Sequence, residues 1–338
     1  MSDSPRDGTV ARAAAAVFLV DHERGSYTRA AELYAAAFDA AGLGVEMRNY
    51  SAVESNDLVG RWVVHHTIGP VFQYVAGARN TAVVFHEWSR YPSSWRAALD
   101  RFESVWAPSR HVEELLLASG LNAPVHYVPP PLAHAGTLRR SSWQASRPFR
   151  FLAVGEPHFR KGFHLLLEGY QRAFPQSDEA QLTLKVSPAC TWETPRDDIT
   201  VVRERLSPDG LSALYAEHDA LVSVSLGEGL GLPIAEAVDA LMPVTTNLWG
   251  GHRDIIGPLG AWVIPHEEMP QLFCSAPSYF ADGQRCAYSS PERIASALRA
   301  IASASPEERE QRARVAHGDL CREHDVSAAI NRIRQSAL

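Results

Sequence analysis

Two glutamates eight positions apart, Glu228 and Glu236, flank the Gly–Leu–Gly–Leu–Pro core of the stretch GEGLGLPIAEA, residues 227–237. Paired carboxylates allow acid–base chemistry or the binding of hydroxyl groups, and close-set glycines let a ligand approach the backbone. The preceding ALVSVS reads as a strand and Pro233 suits the first turn of a helix, which makes 226–232 a strand-to-helix loop. Backbone N–H groups at a helix start, reinforced by the macrodipole, form an anion site. Two free carboxylates would repel a phosphate. They are expected instead to accept from the hydroxyls of a sugar and a ribose, with phosphates lying between them on backbone amides. The dinucleotide fingerprint is not met, because Leu232, Pro233 and Ile234 follow Gly231. A glycine-rich turn without catalytic consequence accounts for these eleven residues equally well.

The surrounding elements decide how such a loop is held. AAVFLV, WVVHHTI, TAVVFHE and SVWAPS read as strands, and TRAAELYAAAFDAAGL and RHVEELLLASG as helices. Ser109 is the expected N-cap of the latter and Gly120 its stop. A stretch without periodicity, VPPPLAHAGTLRRSSWQASRPFR, interrupts the alternation, and a second strand–helix series follows from RFLAVGE onward. This predicts an α/β chain of two Rossmann-like, doubly wound domains facing a cleft: 1–130, a linker over 131–148, and 149–318. The stretch 266–290 reads as irregular, and a C-terminal helix over 319–338 is expected to cross back to the first domain.

Composition narrows the function. A net charge of −7 argues against a nucleic-acid binder, which needs a basic face. AAAAVFLV, 13–20, is too short to span a bilayer and lacks signal-type flanks, so a buried strand and a cytoplasmic protein are expected. Cys190, Cys274, Cys286 and Cys321 are widely separated, which speaks against zinc or a disulfide framework. Of the 32 basic residues only Lys161 and Lys185 are lysine, so a retained lysine marks a place where a compact ammonium is preferred to a planar fork.

Read together, these segments resemble the retaining glycosyltransferases of the GT-B fold, in particular glycosyltransferase family 4. The resemblance rests on VGEPHFRKGFHLLLEGYQRAF, on the E-x7-E stretch, and on the Gly–Gly loop of NLWGGHRDII. It implies that Glu228 contacts the donor sugar close to the reacting centre and that Glu236 binds the ribose. It implies further that the amides of Gly229, Leu230, Gly231 and Leu232 meet the sugar and diphosphate, and that Lys161, with Arg160, holds the diphosphate. Arg203 to Leu206 would lie beside the base. Glu156 stands where many members carry arginine, which leaves the leaving-group charge less well neutralised.

In the first domain AVVFHEW resembles the family's strand-end histidine element, placing His86 opposite the donor sugar as a catalytic residue. Gly25 and Ser26 occupy the first loop, where members often carry two glycines. His65 and His66 are assigned to the acceptor side. The implied reaction moves a sugar from a nucleoside-diphosphate donor to a hydroxyl or amine of a small-molecule acceptor. It retains configuration by front-face attack and needs neither metal nor further cofactor, since no D-x-D element has a suitable setting. A nucleotide-sugar epimerase and a non-catalytic nucleotide-sugar-binding protein are the alternatives.

Overall fold

In a computed structural model the described residues are 15–336, less 22–24, 53–54, 134–138, 177, 195 and 272–280. Cys274, residues 13–14 of the first apolar run and 134–138 of the linker lie outside them. The first sheet contains β1 (Ala16–Val20), β2 (Val45–Asn49), β3 (Trp62–His66), β4 (Arg79–Val83), β5 (Ser104–Ala107) and β6 (Val125–Tyr127). They run parallel in the order β2-β1-β3-β4-β5-β6. β1 is apolar at every position and buried throughout, as a central parallel strand covered on both faces must be. Helices α1 (Gly25–Ala40), α2 (Ser93–Leu99) and α3 (Arg110–Ala118) belong to this domain. Ser109 caps α3 by accepting from Val112 N.

The second sheet joins β7 (Phe149–Val154), β8 (Ala180–Lys185), β9 (Ile199–Val202), β10 (Ala220–Ser223), β11 (Val244–Thr246) and β12 (Trp262–Val263). Its order is β12-β11-β10-β7-β8-β9, again parallel. Around it lie α4 (Phe163–Ala173), α5 (Pro208–Glu217), α6 (Leu232–Asp239) and α7 (His252–Ile255). The chain runs outward from β7 to β9 and then returns to the other side of β7 as β10. The loops leaving β7 and β10 therefore part in opposite directions and open a crevice at the strands' carboxyl ends. This reversal brings residues 155–162 and 224–231 together.

One expectation is corrected. The stretch read as irregular contains an antiparallel pair, β13 (Glu267–Pro270) with β14 (Arg285–Tyr288). β13 is exposed along its whole length, so it has no buried face to create an alternating pattern. Cross-strand charge supports it, with Arg285 Nε 3.1 Å from Glu268 Oε2.

Three helices end the chain: α8 (Pro291–Ser303), α9 (Pro306–His324) and α10 (Val326–Ser336). Residue 318, taken as a domain boundary, falls inside α9. Ala329 and Ile333 of α10 join the core formed by β1 and α1, and Arg79 donates to Ser336 O at 3.2 Å. The end of the chain thus packs on the first domain. Trp88 crosses in the other direction: it follows β4 in the first domain yet lies in the second domain's core with Phe163 and Leu226.

Candidate active site

The loop between β10 and α6 is walled in by backbone. A Cβ at Gly227 would sit 2.4 Å from Glu87 O, and one at Gly229 would sit 3.0 Å from His86 N and O. Gly250 and Gly251 press on the same loop from the second domain, and Gly251 N donates to Glu228 O at 2.7 Å. Ser109 Oγ, from the first domain, donates to Gly229 O at 2.6 Å. The glycines of the motif therefore admit the opposite domain's backbone as closely as they would a ligand. Gly227→Ala is expected to destabilise the protein by roughly 1–3 kcal/mol, since the methyl meets a carbonyl rather than a flexible side chain. A melting temperature equal to that of the unsubstituted protein would show that the two segments separate freely.

Four charges meet at this point. Glu228 Oε1 lies 2.5 Å from Lys161 Nζ and its Oε2 lies 3.0 Å from Arg160. Arg160 also donates to Gly227 O at 2.6 Å and pairs with Glu87 of the first domain at 3.4 Å. Burial alone would raise the Glu228 carboxyl, but Lys161 and Arg160 outweigh it and hold the group well below the usual carboxylate range. Burial would likewise discharge Arg160, but Glu228 and Glu87 keep its guanidinium firmly protonated. Gly162 makes this turn possible: its φ is +68° and a Cβ there would lie 2.5 Å from Val224 O. Glu156 stands apart from the cluster, accepting from Ser187 Oγ at 2.7 Å.

At the helix end of the motif, Glu236 Oε2 accepts from Tyr215 OH at 2.9 Å. Tyr215 is buried, so its hydroxyl holds the carboxylate in one place. Gly231, with φ +100°, precedes α6 and offers its first turn no side-chain cap. Leu230 is buried in the core beside Ile234, and Leu232 packs partly buried against that same core. Arg203 does not point at the motif. Its Nε donates to Cys190 O at 2.9 Å and a second nitrogen to Trp192 O. With Thr191, Glu193, Thr194 and Val201 it lines an open recess of about 520 Å³. Leu206 is half-buried just before α5.

The first-domain residues are placed less uniformly. His86 reaches the loop through its backbone, while its Nε2 lies 2.6 Å from Arg90 O and its ring packs edge-on to Tyr91 and Trp95. His65 and His66 lie in the core of the first domain. His65 contacts Tyr50 OH and Asn80 Oδ1, both at 3.0 Å, and His66 packs on Phe18 and Tyr34. Neither ring faces the loop in this structure. Gly25 and Ser26 are exposed at the start of α1, and the next residue, Tyr27, is buried.

Sequence reading missed the contacts that Glu87, Ser109 and Tyr215 make here, and also Trp88, 3.0 Å from a Cβ at Gly227, and His252, 2.8 Å from one at Gly231. Glu87 and Trp88 carried a signal, since a charge and a large aromatic ring directly follow a strand-end histidine. The others meet the site only through the closure of the fold. Among the described residues no group of three His, Cys, Asp or Glu side chains is placed to hold a metal ion, and no helix is long and apolar enough to cross a membrane.

No family model and no curated protein matches the sequence. Solved structures do. A glycosyltransferase from Rickettsia africae superposes with a TM-score of 0.66 at 11% identity, over 96% of this chain and 98% of that one. The chain has the GT-B fold. The pneumococcal O-GlcNAc transferase GtfA, solved with UDP and GlcNAc, gives 0.59 at 16% identity over 83% of this chain. This chain spans 57% of GtfA's length. A trehalose-phosphate synthase from Burkholderia xenovorans gives 0.59 at 13%, over 94% of this chain and 78% of that one. Within the GT-B fold, the Glu228 cluster occupies the crevice between the two sheets' domains.

Proposed function

We propose that the protein is a retaining glycosyltransferase that moves a sugar from a nucleoside-diphosphate donor to a hydroxyl or amine of a small acceptor. The observation that carries this reading is the clasp of Glu228 by Lys161 and Arg160. Two cations at a strand-end crevice hold a carboxylate where a diphosphate would be held. Solved neighbours of the same fold include enzymes bound to UDP, which supports a nucleotide-linked donor. Binding requires the two domains to part, after which the diphosphate replaces the carboxylate on the cations and Glu228 turns to the sugar hydroxyls. Glu236, fixed by Tyr215, accepts from the ribose.

Chemistry then follows from charge placement. The anomeric C–O bond breaks and its electron pair stays on the departing phosphate, stabilised by Lys161, Arg160 and the first-turn amides of α6. The acceptor oxygen or nitrogen bonds to the anomeric carbon from the same face, and its proton passes to the phosphate oxygen. These fixed cations supply charge that a metal supplies elsewhere, so activity is expected without Mg²⁺. Family 4 membership and a cytoplasmic location belong to the same reading.

A thermal-shift series with UDP, GDP, ADP and TDP and their glucose conjugates, with and without Mg²⁺, tests the donor site. A ligand at 100 times its dissociation constant adds about 2.7 kcal/mol. Stabilisation by one nucleotide in the presence of chelator is expected; no shift with any of them sinks the reading. A non-catalytic nucleotide-sugar binder is favoured by one feature, the engagement of the His86 ring with Arg90. It predicts the same shift without consumption of the sugar nucleotide.

A further inference from the structure

His252 stands directly after the Gly250–Gly251 loop and is 1% exposed. It has come from β11 by way of Thr246 and Asn247, and these two residues fix its ring. Nδ1 lies 3.1 Å from Thr246 Oγ1 and 3.3 Å from Asn247 O. The Thr246 hydroxyl is directed to Asn247 O at 3.2 Å, so both partners present lone pairs to Nδ1. The neutral ring therefore carries its proton on Nδ1 and a lone pair on Nε2.

That lone pair is on the donor side. A Cβ at Gly231 would lie 2.8 Å from His252 Cδ2 and 3.4 Å from Nε2, so this edge of the ring faces the start of α6. Among the described residues Nε2 makes no hydrogen bond. Burial lowers the ring to about 4, against which the nearby Glu228 carboxylate pulls upward. At neutral pH the group is an uncharged acceptor beside two cations and a carboxylate. A phosphate oxygen gains nothing from a facing lone pair, and Lys161 and Arg160 already serve that charge. What such an acceptor recognises is an O–H or N–H.

Resting on the transferase reading above, we propose that His252 determines donor-sugar specificity by accepting, at Nε2, a hydrogen bond from one sugar hydroxyl. The nucleotide half of the donor is held by Lys161, Arg160 and Glu236, whereas His252 reads the half that is transferred. A donor lacking that hydroxyl leaves a buried acceptor unpaired and is rejected.

The test uses the full chain and its His252→Ala and His252→Gln variants. Calorimetry first compares UDP, GDP, ADP and TDP, then the glucose conjugate of whichever binds, then its 2-, 3-, 4- and 6-deoxyglucose conjugates. Wild-type protein is expected to bind one deoxy conjugate at least about tenfold more weakly than the parent, the loss of one hydrogen bond to a buried partner. In His252→Ala that discrimination disappears, while the bare nucleoside diphosphate binds as in wild type. His252→Gln, whose amide carbonyl is also an acceptor, restores part of it. Equal weakening of nucleotide and sugar nucleotide in His252→Ala would mean that the ring only supports the loop, and the inference falls. Identical deoxy profiles in all three proteins overturn it as well. If wild-type protein binds no nucleotide at all, the transferase reading falls with it.

Discussion

Glu228→Ala is expected to lower sugar transfer by about 10²–10³-fold while strengthening the binding of the bare nucleoside diphosphate. The opposite signs follow from what Glu228 does in each state. In this structure its carboxylate sits 2.5 Å from Lys161 and 3.0 Å from Arg160, so a diphosphate must displace it. Alanine removes that competitor. With donor bound, the same carboxylate is free to hold the sugar, and alanine removes that contact as well.

The variant should also be less stable, because two neighbouring cations are left with Glu87 alone, at 3.4 Å from Arg160. Breaking a buried pair from one side costs about 3–5 kcal/mol, and partial exposure of the lysine and arginine places this case at the lower end. Pyrophosphate should then raise the melting temperature of Glu228→Ala more than that of wild type. Glu228→Gln separates charge from shape, since it keeps the packing and loses the attraction. Transfer at the wild-type rate in Glu228→Ala, or weaker binding of the bare diphosphate, would refute the displacement account.

How much of this was legible beforehand depended on whether the cause lay within one segment. β1 shows itself because five consecutive residues are apolar and buried. Ser109 shows itself because a cap bonds its own helix. The E-x7-E stretch is likewise local, and its placement between a strand and a helix follows from Pro233. What the sequence could not show was which backbone the glycines admit. Gly227 and Gly229 meet Glu87 and His86, about 140 residues earlier, only because the two domains close on each other.

Side-chain direction was equally hidden. A histidine at a strand end looks the same whether its ring enters a cleft or, as with His86, turns to a carbonyl four residues on. His65 and His66 are read as polar by type, yet the residues opposite them on the two adjacent strands are apolar: Leu19 and Ala82 for His65, Val20 and Val83 for His66. Nothing local in LSALYAEH marks the Tyr215 hydroxyl as the partner of Glu236.

Acid is expected to unfold the protein well above the range where carboxylates titrate. Burial is the leading cause that pushes the described histidines down from 6.5, and furthest at five of them: His65, His111, His252 and His324 to about 4, and His66 to about 3. Each binds a proton in the unfolded chain at pH values where the folded form does not. Stability is therefore complete above pH 6.5, falls as pH drops from there towards 4, and levels off below the folded values. The slope is about 1.4 kcal/mol per pH unit for each group across that window. Glu228 acts in the same direction but only from the lower, carboxylate range, because its folded value is depressed from 4.5. Melting curves between pH 8 and 5.5 at fixed ionic strength should show a flat upper region and then a loss of roughly 10 °C or more. His66 isolates one contribution, since neither ring nitrogen has a hydrogen-bond partner and Phe18 and Tyr34 pack against it. His66→Phe should reduce the proton uptake on unfolding at pH 5.5 by about one. A melting temperature that stays level down to pH 5.5 would mean that these rings are already protonated in the folded protein.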